Sequence, residues 1–111
     1  MDAKLIYTAT HYLLSKIEWD SLDDNEWIHF GTEKELKADL VNTLIQRHFV
    51  GEDTMLCVLG RHDSQEVNPK HLQEVVNPLL GKVNFYLWNK RMKKVMEFNT
   101  VGILRQGFIK E

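Results

Sequence analysis

The last thirty residues constrain the fold most. After Gly81 come three runs, VNFYLWN, KKVMEFN and VGILRQG, each about seven residues long and rich in aromatic and branched apolar side chains. Turn residues separate them, and that spacing predicts an antiparallel three-stranded meander. A meander cannot stand alone. It needs helices laid over its apolar face, and the rest of the chain must supply them.

Three helices are expected upstream. Leu5, Ile6, Ala9, Tyr12, Leu13 and Ile17 recur at three- and four-residue steps, predicting a helix from Ala3 to Ile17, although Ile6, Tyr7, Thr8 and Thr10 are better strand formers. Thr32 to Glu35 reads as a capping box opening a second helix, with Leu36, Leu40, Val41, Leu44, Ile45 and His48 as its stripe. Asn68-Pro69 opens a third, short helix whose buried side is Leu72, Val75, Val76 and Leu79. WIHF (Trp27 to Phe30) reads as a short strand. TMLCVLG, apolar on both faces, reads as a central one. The loop RHDSQEV joins it to the third helix.

The expected fold is therefore α+β. Its antiparallel sheet of about four to five strands ends in the meander, with about three helices packed mainly on one face and the other face partly solvated. At 111 residues, with no repeats or Pro/Gly/Ser linkers, the chain is read as a single domain, 1–111. Its 43% apolar and 27% charged residues are those of a globular protein rather than a disordered one. No apolar run approaches a membrane span, and the N-terminus lacks signal-peptide order. Cys57, the lone cysteine, sits in an apolar run. A cytoplasmic location is expected.

Chemistry-bearing patterns are weak. His11, His29, His48, His62 and His71 show no metal-ligand spacing, so neither metal nor cofactor is expected. Arg61, His62, Asp63 and Glu66 follow a strand end and form the best catalytic candidate, yet no phosphate loop or nucleophile elbow accompanies them. Lys90, Arg91, Lys93 and Lys94, near Tyr86 and Trp88, are the nucleic-acid candidate. A net charge of −2 disfavours it.

The strongest feature is EWDSLDDNEW, which carries Glu18, Asp20, Asp23, Asp24 and Glu26 with Trp19 and Trp27. Without those five acids, 14 bases would face 11. Carboxylates beside tryptophans suit a basic protein partner: the charges steer, and the indoles anchor. These seven residues are the candidate partner-binding site.

In layout, with helices first, the closing meander VNFYLWNKRMKKVMEFNTVGILRQG and an acidic loop, the chain resembles the small immunity proteins of bacterial toxin systems. The resemblance implies a non-catalytic antagonist that binds and neutralises a basic toxin domain. A small adaptor or homo-oligomeric interaction protein is the alternative, and a nucleic-acid binder or an enzyme using the His62 loop is a further one. Oligomeric state is not legible.

Overall fold

The computed structural model describes residues 2–21, 25–31 and 34–110. Helix α1 (Ala3–Leu13) leads through a 3-10 turn into β1 (Ile17–Trp19), followed by β2 (Ile28–His29), α2 (Ala38–His48), β3 (Met55–Val58) and β4 (Gln65–Val67). Next comes α3 (Leu72–Val76), set between two 3-10 turns, and then β5 (Phe85–Asn89), β6 (Lys94–Asn99) and β7 (Ile103–Ile109). One antiparallel sheet runs in the order β1-β7-β6-β5-β3-β4, with β2 also pairing β7. The architecture is α+β, and the meander is in place.

Two helix boundaries differ from expectation for physical reasons. α1 stops at Leu13 instead of Ile17, because Ile17 to Trp19 pair with Ile109, Phe108 and Gly107 of β7. Tertiary pairing thus overrides the helical period there, and the stretch read as a loop begins as an edge strand. α2 starts at Ala38, several residues late: the Lys37 N–H donates to the Phe30 carbonyl at 2.9 Å, so the chain just before Ala38 is bonded back to the end of β2 instead of along a helix. The proposed cap Thr32 lies outside the described residues. Likewise, part of the RHDSQEV loop, Gln65–Val67, is recruited as edge strand β4 against Met55–Cys57. Such short recruited strands raise the strand count to seven among the described residues.

Strand formers sit in α1 without breaking it. Asp2 caps it, accepting from the Leu5 N–H at 2.9 Å, and the buried Thr10 hydroxyl donates back to the Ile6 carbonyl at 2.9 Å. Asn68 caps the third helical segment as read, accepting from the Lys70 N–H at 2.9 Å.

Two of the three helices among the described residues share a face. Beneath α2 and α3 lies the larger core, where Phe85 stacks on Phe98 at 4.4 Å among Val41, Ile45, Met55, Cys57, Leu87 and Leu104. α1 takes the opposite face, which therefore is only in part open. Its Ile6 packs with Leu56, Trp88 and Val95, a row that the strand register aligns across β3, β5 and β6. Alongside, the row Val58, Tyr86, Glu97, Arg105 turns polar towards β7. Those are the polar alternates expected on the less covered face.

The β6–β7 turn closes against the chain after β2. The Phe30 and Gly31 N–H groups donate to the Gly102 carbonyl at 2.8 and 3.3 Å, and a Cβ on Gly102 (φ 89°) would collide with the Gly31 carbonyl oxygen. Gly51 has a similar φ of 80° with open space around it. Gly51→Ala should therefore lose only the left-handed backbone penalty, about 1 kcal/mol. Gly102→Ala should lose about 3 kcal/mol, since strain and displaced pairing add. Urea midpoints of the two variants check the difference.

Candidate functional site

Strand β7 places the site. Its residues alternate between faces: Leu104 enters the α2-side core, Arg105 emerges on the α1 side, and Gln106 returns to the α2 side. β2 pairs with Ile103 and Leu104 while β1 pairs with Gly107 to Ile109, so Arg105 lies at the gap between the two edge strands. Trp19 ends β1, and Trp27 immediately precedes β2.

The guanidinium fills that gap. Its carbon lies 3.9 Å from the centre of the Trp19 ring and 4.5 Å from that of Trp27. Its Nε donates to Glu97 Oε1 at 2.6 Å, and a terminal nitrogen donates to Glu26 Oε2 at 3.1 Å. The other Glu97 oxygen accepts from the Tyr86 hydroxyl at 3.2 Å. Tyr86, Glu97 and Arg105 sit opposite one another in register, so the row is built by strand pairing. Burial, and then the neighbouring Glu97 charge, push the Tyr86 hydroxyl up to about 12, so it remains a donor. The arrangement combines planar stacking with charged hydrogen bonds, for which Arg suits and Lys does not.

The acidic strip is divided. Glu26 joins the Arg105 cluster, while Glu18, between Ile17 and Trp19 on β1, projects to the opposite face beside the partly exposed Phe108. Asp20 is held there as well. Its Oδ2 accepts from Gln106 Nε2 at 3.0 Å, and its N–H donates to the Gln106 carbonyl at 2.8 Å. Asp23 and Asp24 lie outside the described residues. The structure thus brings Trp19, Glu26 and Trp27 together around Arg105, and sets Glu18 and Asp20 behind them. Arg105 and Glu97 were missed in the sequence, though a lone Arg and a lone Glu on the solvated phase of apolar strands were a signal for them, and Tyr86, read as a stacking platform for a base, instead supports Glu97.

On the Asp20 side, His48 at the end of α2 donates from Nε2 to the Gly107 carbonyl at 3.0 Å. Burial holds its imidazolium form below the ordinary histidine range, opposed in part by that bond and by Asp20.

The other candidates disperse. His62 is exposed; in its loop the Ser64 hydroxyl and the Asp63 N–H both turn back onto the Gly60 carbonyl, and no carboxylate orients the imidazole among the described residues. Trp88 is fully buried beneath α1, and Tyr86 is bound to Glu97, so neither offers a stacking platform to a base. Lys90, Arg91 and Lys93 share the walls of an open groove of about 520 Å³ with Glu52 and Asp53, and Lys90 lies 3.7 Å from Glu66. The basic turn is thus mixed in charge. Among the described residues no group of three metal-ligating side chains converges. Burial pushes the Cys57 thiol up to about 12, which removes it as a nucleophile. No helix among the described residues is long and apolar enough to cross a membrane.

Two outcomes follow for stability. Arg105→Ala strands Glu97 and uncovers both indoles, and should lose about 2 kcal/mol, between exposed and buried pair values. Arg105→Lys should recover less than half of that, as read from urea midpoints by tryptophan fluorescence. For His48, the folded chain binds its proton less readily than the unfolded chain. Its contribution to stability is therefore complete above the unfolded value of 6.5 and declines as pH falls below it. His48→Gln, which keeps an N–H donor for Gly107, should show a shallower loss of stability between about pH 7 and 5. Compared with family models, with curated proteins and with solved structures, the chain matches none.

Proposed function

We propose that the chain is a non-catalytic, cytoplasmic protein-binding antagonist of the immunity type, which neutralises a basic toxin domain through the β1–β2 end of the sheet. One observation carries this reading: Trp19 and Trp27 remain partly exposed, yet are held rigid by Arg105, Glu26 and Glu97. Fixed, partly exposed aromatics lose little freedom when a partner covers them, and tryptophans so placed are typical anchors. Around them, Glu26 and Glu97 engage Arg105, Glu18 has Lys16 and Lys110 beside it, and Asp20 lies on the opposite face; Asp23 and Asp24 add two further acids to the same loop in sequence.

The internal Arg105 modifies the reading made from sequence. Glu26 is already engaged by Arg105, so a partner's cation would share it rather than meet a free carboxylate. The acids then act mainly at a distance, and the indoles make the contact. In this role Trp27 and Trp19 set the lifetime of the complex, and Glu18 its rate of formation.

The decisive experiment pairs the chain with a basic domain sought in the gene beside its own. Co-expression should restore growth to cells expressing that domain. Stopped-flow association should slow about tenfold between about 20 and 150 mM salt. Glu18→Lys should lower the association rate by about two- to fivefold with little change in dissociation. Trp27→Ala should raise the dissociation rate by at least about tenfold. An association rate insensitive to salt rules out the steering, and failure to restore growth rules out the antagonist.

A further inference from the structure

A second surface lies on the other side of the molecule, beside β3 and β4. Two concavities of about 300 and 250 Å³ share Ile45, Gln46, Pro69 and Leu72 in their walls, and so form one groove between α2 and the start of α3. Its size falls within the range of ordinary ligand pockets. The floor is apolar: Ile45, Phe49, Met55 and Leu72 are core side chains whose outer atoms line it. At one end the rim carries Val50, 71% exposed. The other end is polar, with Asn42, Gln46, Gln73 and Lys70.

Three features of that polar end specify an occupant. Carboxamides present a donor and an acceptor together, the complement of a peptide group's C=O and N–H. The Asn42 Oδ1 is buried in the wall without a hydrogen-bond partner, an acceptor that a turn of its side chain would bring to a ligand's N–H. Lys70 is exposed and makes no ion pair among the described residues, so its ammonium is available for a carboxylate. At the opposite end stands Glu52, held by Asn89 Nδ2 at 3.1 Å. Glu52 shares its surroundings with Lys90, Arg91 and Lys93, so that end is mixed in charge and Lys70 marks the polar end as the one suited to an anion.

We propose that this groove receives the apolar C-terminal residue of a partner polypeptide. The terminal carboxylate meets Lys70, the last peptide group meets the carboxamides of Asn42 and Gln46, and a leucine-sized side chain lies on Ile45 and Leu72. This surface is separate from the β1–β2 end, and does not rest on the antagonist reading.

N-acetyl-leucine is the minimal probe, since it contains one peptide group, one isobutyl group and one carboxylate. Titrated into the full chain and followed by methyl NMR, it should give saturable shifts confined to Ile45, Val50, Met55 and Leu72, with a Kd on the order of 1–10 mM for so few atoms. N-acetyl-leucine amide should bind about fivefold more weakly, a difference that Lys70→Ala should erase. Gln46 is exposed on α2, so Gln46→Trp should plug the groove without disturbing the core and abolish the shifts. The proposal is overturned if wild-type chain gives no saturable shifts, if acid and amide bind alike, or if octanoate binds as well as N-acetyl-leucine. That last outcome would identify a hydrocarbon slot instead of a peptide site.

Discussion

Arg105 secures the weakest part of the sheet. β1 and β2 have three and two residues, too few ladder bonds to hold an edge against fraying. Both pair with β7, and Arg105 sits at the interval between their pairings. The loop from 20 to 27 begins and ends at the two tryptophans whose rings enclose its guanidinium. One side chain thus ties both feet of the loop to β7. Glu97 completes the tie from β6, and Tyr86 supports Glu97 from β5, so the edge is braced by a polar row three strands deep.

Such a row is an unusual use of a sheet face. Charged groups removed from water need compensation from one another; here each carboxylate oxygen of Glu97 has a donor and the guanidinium has two acceptors and two rings. An apolar row in the same register would bury equally well, but would hold the indoles less specifically. A stacked, hydrogen-bonded guanidinium fixes ring orientation as well as position. That geometry is what a partner covering the tryptophans would meet.

Much of this was legible from pattern alone, and the rest was not for a definite reason. The meander, the β3 run and the Asn68 cap are local signals, and they appear where periodicity and turn chemistry put them. The misplaced boundaries all involve bonding to another segment of the chain, near or far. Ile17 continues a helical stripe in sequence, but its partner is Ile109; Gln65 to Val67 look like loop, but Met55 to Cys57 offer them an edge. For the site, the two tryptophans and Glu26 were visible as composition. Their gathering around Arg105 depends on the register of β7, which no local pattern reports. Alternation could have told which face Glu18 takes, had the strand been recognised, since it must oppose Trp19.

That division of the acidic strip bears on how such an end can work. Side chains on opposite faces of one strand are separated by about 10 Å, comparable to the Debye length of about 8 Å at physiological salt. An approaching cationic surface therefore still senses Glu18, Asp20 and Glu26 as a partly summed field, although it cannot touch all three after docking. Asp20 is further occupied by Gln106 and Glu26 by Arg105, so neither is spare for a close pair. Long-range attraction survives this arrangement better than contact does. The carboxylates are then suited to hastening encounter, and the lifetime of a complex must come from apolar cover over Trp19 and Trp27. A protein with this edge would bind quickly in dilute salt, and hold on by its indoles.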